Sequence, residues 1–224
     1  MQFIPREVVM LTVWGRERGL CVKKVLWCLE DLELKFDRID AGRQYGRTNE
    51  EEYLKMNRNG LVPTLVDDGY VLWESNSIMR YLAMTYGPTT FYPVNDAKLH
   101  ADVNRWLDWS MGALWPDIVP LFTSLIRTAP EKRDMNAVRV QSTRLIKNWG
   151  IADEYLAGKK YITGDEFTIA DIALGVLAQT YDTFELDNKP ELPNFNQWYA
   201  RIAERPGFQR YAVLPPEPDP TSNH

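Results

Sequence analysis

Cysteine is scarce in this chain: two in 224 residues, Cys21 and Cys28. On one helix that spacing puts them about 10.5 Å apart along the axis. A disulfide needs Cα atoms within roughly 7 Å, so a bridge between them is excluded. Two free thiols suit a reducing cytosol. Histidine is just as rare. His100 and His224 have neither metal-ligand spacing nor a nucleophile partner; no metal is expected, and both read as surface residues. Apolar runs are short, none approaching the ~18 residues of a membrane span, so no membrane partner is expected. The stretch after Met1 does not combine a basic region, an apolar core and a small-residue cleavage site. No signal peptide is expected, and the location reads as cytoplasmic. Excess positive charge is also missing: 26 Lys+Arg face 31 Asp+Glu, a net charge of −5. Residues 1–84 hold 12 basic and 13 acidic side chains, and the remainder 14 and 18. Neither portion has the footprint of a nucleic-acid binder.

What is there fits a globular protein. Hydrophobic residues make up 45% and charged ones 25%, which are ordinary proportions, and the length allows one large or two small domains. Residues 8–14 are β-branched and apolar and read as a buried strand. Val22, Val25, Leu26, Leu29 and Leu32 recur at helical spacing, giving an amphipathic helix over 20–32. Residues 35–40 alternate as a second strand, 41–49 form a polar loop, and 50–56 a short helix. Two strands, 63–67 and 70–73, flank Asp68-Gly69, a strong hairpin signal. Ser75 opens a helix over 75–86. The order is β-α-β-α-β-β-α, with the first strand pair parallel and the last a hairpin: a small mixed sheet covered by helices.

Residues 87–95 hold two prolines and a glycine and read as a linker. Everything beyond is helical. Residues 96–126 form one long periodic segment kinked by Pro116 and Pro120. A second helix spans 134–156. A third, over 167–181, starts with a capping box of Thr168 and Asp171, plus a staple of Phe167 and Ile172. A fourth covers 193–204, with a restart at 205–211, and the proline-rich tail orders only where it docks. The domains are therefore expected at 1–86 and 96–224, joined by the 87–95 linker.

Two short steps carry chemical information. Pro63 stands where a strand begins, a position that needs no N–H. If the Val62–Pro63 bond is cis, Val62 can offer its N–H and C=O to an extended peptide, as in strand addition; taken alone, a trans bond is the ordinary case. Glu74-Ser75 opens a helix, and helix N-termini collect anions. Ser75 can donate to a ligand carboxylate while Glu74 faces an ammonium; alone, the pair reads as a simple cap.

Together these steps, in this order, resemble the cytosolic glutathione transferases. The resemblance covers about residues 8–212, and "WGR" (14–16), "IDAG" (39–42) and "VLWESN" (71–76) are similar to a bacterial group within the family. It implies an N-terminal thioredoxin-like domain, an all-helical second domain and a homodimer. It also implies glutathione as cosubstrate and a small apolar electrophile as its acceptor. Glutathione's cysteinyl backbone would pair with Val62 beside Pro63, and its γ-glutamyl end would meet Glu74 and Ser75. Its glycine carboxylate would find Arg43, Arg47 or Asn59. In some relatives a histidine near position 60 helps; here the residue is Gly60. The electrophile pocket would draw on Trp14, Trp106, Trp109 and Trp115, with Met111 and Phe122. Helical spacing makes plain core packing the better reading for any one of these.

The departure from the family lies at "VWGRERGLCVKK" (13–24). A Ser, Thr, Tyr or Cys after the first strand normally touches the glutathione sulfur. This chain has Gly19-Leu20-Cys21. Three readings follow. Backbone amides at 19–21, in the positive field of Arg16, Arg18, Lys23 and Lys24, hold the thiolate. Alternatively Cys21 is a redox thiol of lowered pKa, making the protein a glutathione-dependent disulfide reductase. In the third, Cys21 merely packs, and the protein is a non-catalytic glutathione or apolar-ligand binder. They stand in that order, because Val62-Pro63 and Glu74-Ser75 are intact. Cys28, on the stripe of Val25 and Leu32, reads as core.

Overall fold

In the computed structural model the described residues are 10–215. Val8 and Val9, His224 and the end of the proline-rich tail lie outside them. The first strand is β1 (Leu11–Trp14), followed by α1 (Leu20–Asp31), β2 (Phe36–Ile39) and α2 (Glu51–Met56). Then come β3 (Thr64–Asp67), β4 (Tyr70–Trp73) and α3 (Ser75–Tyr86). The sheet order is β2-β1-β3-β4. β1 runs parallel to β2 and antiparallel to β3, and β3 is antiparallel to β4. This is a thioredoxin-like domain. Asp68 and Gly69 both take positive φ, 46° and 82°, the backbone a tight two-residue hairpin requires.

The second domain is helical: α4 (Ala97–Trp109), α5 (Trp115–Phe122), α6 (Met135–Leu156), α7 (Ile169–Asp182) and α8 (Pro193–Ala203). The 96–126 segment is not one kinked α-helix. Wide π-type turns at Ser110–Leu114 and Thr123–Arg127 bracket α5. Pro116 sits in the first turn of α5 and Pro120 inside it. A proline has no N–H for the i−4 carbonyl and crowds it, and the wider turn at Ser110–Leu114 relieves that conflict for Pro116. Asn148 on α6 donates to the Ala113 carbonyl at 2.9 Å.

The expected capping box forms at the start of α7. The buried Asp171 carboxylate accepts N–H bonds from Thr168 and Ile162, both at 2.9 Å, and the Trp198 indole at 2.8 Å. Burial pushes its pKa up while these donors pull it down.

α1 corrects the amphipathic reading. It is buried from Val22 through Leu29, both lysines included, because α3 covers one side while α7 and the Phe208–Ala212 turn cover the other. Trp27 is wedged on that second side. Added Cβ atoms at Gly175 and Gly207 would lie 2.8 Å and 2.1 Å from its ring. Its indole N–H donates to Asp31, which also accepts from Arg205 at 2.7 Å. This contact fixes the angle at which α1 meets the helical domain, and so places the start of α1.

Candidate functional site

The N-terminus of α1 opens onto a cleft of about 540 Å³ between the two domains. Of the expected site residues, Arg16, Gly19 and Cys21 line it from the β1–α1 turn, Asn59, Val62 and Pro63 from the loop before β3, and Glu74 and Ser75 from the start of α3. Met111, Trp115 and Phe122 close the far side.

The loop before β3 is held from below. Tyr53 OH and Asn57 Nδ2 both donate to the Leu61 carbonyl, at 2.6 and 2.9 Å, and both reach Thr64 Oγ1. Asn57 Oδ1 in turn accepts from the backbone N–H and side-chain amide of Asn59, at 3.1 and 3.0 Å. Neither Tyr53 nor Asn57 is singled out by sequence motif; the signal available is their dense polar character next to a strand start. The network delivers Val62 to the cleft, and the Val62–Pro63 peptide is cis. Among the described residues, neither the N–H nor the C=O of Val62 pairs with other protein groups. Gly60 has φ +63°, and a Cβ there would stand 3.2 Å from the Thr48 carbonyl. A histidine at this position would be strained as well as crowded.

At α3, Glu74 is the N-cap residue with φ 73° and ψ 112°, and its side chain does not cap the helix. A non-glycine residue in that region is held there by its surroundings. Its exposed carboxylate faces the cleft. Ser75 is 3% exposed, and its hydroxyl has no partner among the described residues. The next residue, Asn76, ties α3 to α4 through the Leu107 carbonyl at 2.8 Å.

At α1, Gly19 is the N-cap and supplies no side chain. Its own N–H is not open to a ligand as expected, because it donates to the Arg16 carbonyl at 3.1 Å. The free amides are those of the first helical turn, Leu20, Cys21 and Val22, which α-helix geometry leaves unpaired. All three residues line the cleft. The Cys21 side chain is half-buried there, whereas Cys28 is fully buried, and burial with the nearby Asp31 pushes its thiol well up. The expected ring of four cations is also rearranged. Arg16 and Arg18 stay at the cleft. Lys23 turns away and donates to the carbonyls of Ala212 and Leu214, at 3.0 and 2.5 Å. Lys24 is buried beneath the cleft wall.

Three of the four expected tryptophan walls are corrected. Trp14 is 7% exposed and packs edge-on to Tyr53, with Arg47 stacked 4.6 Å over it. That stacking also takes Arg47 out of the cleft, while Arg43 lines it. Trp106, 3% exposed, packs edge-on between Trp109 and Tyr155 inside the helical domain, and Trp109 packs with it. Trp115 alone of the four lines the cleft. His100 is half-buried and stacks on Tyr92 at 4.7 Å, not a free surface residue. No group of His, Cys, Asp or Glu among the described residues gathers at metal-binding spacing, and no helix among them is long and apolar enough to cross a membrane.

A thioredoxin-like domain joined to a helical bundle, with a cleft between them ending on a V-P and an E-S step, defines a glutathione-transferase architecture. The family models agree: the glutathione S-transferase N-terminal domain matches residues 9–84 and the C-terminal domain residues 114–206. The chain belongs to the glutathione S-transferase family. It is 38% identical over 208 residues to glutathione S-transferase GstB of Escherichia coli, covering 92% of this chain and 99% of that one. It is 30% identical to glutathione S-transferase 3 of Zea mays, covering 95% and 98%. Among solved structures, it superposes on the theta class glutathione S-transferase from Xanthomonas axonopodis pv. citri with glutathione bound. That match has a TM-score of 0.86 and 35% identity, over 92% of this chain and 98% of that one.

Proposed function

We propose that this glutathione transferase binds glutathione across the cleft and presents its thiolate to a small electrophile against Met111, Trp115 and Phe122. One observation carries the reading: unpaired groups from three separate elements converge on one cavity. They are the Val62 backbone, the Ser75 hydroxyl beside the Glu74 carboxylate, and the open amides that begin α1. Each complements a different part of glutathione. Val62 exchanges backbone hydrogen bonds with the cysteinyl residue. Ser75 and the α3 N-terminus take the γ-glutamyl carboxylate, and Glu74 its ammonium. Asn59 and Arg43 stand toward the glycine carboxylate, and Arg16 adds positive charge. The sulfur then lies beside the Leu20 and Cys21 amides, where a helix N-terminus favours the thiolate. Holding thiolate and electrophile together supplies the rate.

The same layout favours one second reading. The Cys21 side chain lines the cleft and is half-buried, so its thiolate can attack a glutathione mixed disulfide, releasing the substrate thiol and taking up the glutathionyl group, which a second glutathione removes as glutathione disulfide. Parallel assays of aryl halide conjugation and mixed-disulfide reduction, on wild type and Cys21→Ser, separate the two. Conjugation that survives in Cys21→Ser supports the amide reading. Its complete loss would sink it. Glutathione binding without either activity leaves a binding protein.

The proposed domain limits, 1–86 and 96–224 around the 87–95 linker, put the cleft at the junction. We also infer a homodimer of cytoplasmic location. Tyr70 and Trp73 on the edge strand β4 are large and exposed, where a second copy would cover them. Light scattering giving a monomer mass would overturn this.

A further inference from the structure

Lys24 lies on α1 one turn beyond Cys21 and is 0% exposed. Among the described residues no carboxylate is within bonding distance of its ammonium. Nζ donates to Met111 Sδ at 3.6 Å and stands 5.5 Å from the centre of the Trp115 ring. A thioether is a weak acceptor, and an ammonium buried with such partners is costly.

The surroundings point to the missing partner. Met111 and Trp115 are at once the neighbours of Lys24 and walls of the cleft. Cys21 and Glu74, the acidic groups that act on Lys24 through space, also line it. Several charges on the elements around α1 are committed elsewhere. Asp117 of α5 is held by Arg144, and Arg80 of α3 by Asn104 and Asp108. Asp171 of α7 is held by its cap. Asp31 binds Arg205, and Glu30 binds Arg210. What Lys24 lacks is an anion in direct contact with it: Glu74, across the cleft, acts on it only through space.

We propose that Lys24 is a positioning residue of this site: from behind the Met111–Trp115 wall its ammonium stabilises a thiolate formed at the Cys21 end of the cleft. This deepens the glutathione reading and rests on it for the identity of the thiol. When the thiol ionises, the S–H bond breaks, the electron pair stays on sulfur and the proton leaves to water through the open cleft. Burial lowers the lysine pKa, and negative charge in the cleft raises it again, so the two ionisations support each other.

The test uses Lys24→Met and two readouts. The first is the thiolate absorbance of bound glutathione across pH. The thiolate fraction at neutral pH is expected to fall about tenfold in the variant, the effect of one unit charge through a protein-like dielectric. The second is alkylation of Cys21 by iodoacetamide without glutathione, which should slow in the variant. Both readouts unchanged in a folded variant would overturn the proposal. Slowed alkylation, with no glutathione bound by either protein, would support the role of Lys24 and overturn the glutathione reading instead. Should Lys24→Met not fold, the wild type supplies the answer. With isotope-labelled lysine followed by NMR, the Lys24 titration should move to higher pH with glutathione than with S-methylglutathione, which has no ionisable thiol. Equal midpoints would overturn the proposal.

Discussion

A Cβ atom on Gly207 would stand 2.1 Å from Cδ1 of Trp27. The ring cannot retreat. It is fully buried, its N–H is bonded to Asp31, and it meets Phe208 edge-on at 5.3 Å. Gly207→Ala is therefore expected to destabilise the fold by about 1–3 kcal/mol, the usual cost of overpacking. Urea denaturation reads this directly, and an unmoved midpoint would contradict the tight contact. Because α1 carries the cleft amides at its other end, glutathione affinity should weaken as well.

Ser75 makes the opposite case. Its hydroxyl has no protein partner among the described residues, so Ser75→Ala should change stability by no more than about 0.5 kcal/mol. Glutathione affinity should fall about tenfold or more, since a hydrogen bond to a charged group is worth roughly 1.5–3 kcal/mol. Urea denaturation measures the stability and calorimetric titration the affinity. Unchanged affinity would remove Ser75 from the ligand contacts.

The two cysteines are expected to behave differently. Burial and Asp31 push the Cys28 thiol well up, and the thiolate is the reactive form. Cys21 lines the open cleft. At neutral pH a thiol reagent should modify one cysteine in the native protein and both in denaturant, while native Cys21→Ser should not react. Saturating glutathione should protect the single native site. Two reactive thiols in the native state would show that α1 opens far more readily than its burial implies.

The sheet and its helices are legible in the sequence because local signals and global packing agree there. Alternating strands, Asp68-Gly69 and the Thr168–Asp171 box each name their own conformation. The steps at Val62-Pro63 and Glu74-Ser75 are equally local. The tryptophans are not. Helical spacing says that Trp106 and Trp115 face inward, but only tertiary packing puts one in the core and the other on a cavity wall. Lys24 is legible as a charge near the start of α1, but its burial is not, for a related reason. A lysine beside an apolar stripe reads as solvated until a second helical layer closes over it. The paired prolines show a third limit, since Pro116 and Pro120 announce a disturbance without specifying that π turns absorb it.

That buried lysine has a consequence for stability as well as for the site. Its pKa is lowered in the fold, chiefly by burial, so the folded state holds the proton less tightly than the unfolded chain. The sign follows from linkage. Below the depressed folded value both states are protonated and the fold carries the full penalty. As pH rises toward the ordinary lysine value the unfolded chain still binds the proton, and the penalty shrinks. Lys24→Met keeps the unbranched shape and removes the charge, placing a second thioether beside Met111. Replacing buried ionic groups by apolar ones of similar volume is often neutral or stabilising by roughly 1–4 kcal/mol. The variant should therefore melt higher than wild type at neutral pH, with the gap narrowing as the solution becomes alkaline. Calorimetric melting across pH provides the comparison. A lower melting temperature at neutral pH would mean that the Lys24 ammonium is stabilised where it lies, with no need of an anion in the cleft. A higher one, together with a weakened thiolate, would identify Lys24 as a residue retained for function at the expense of stability.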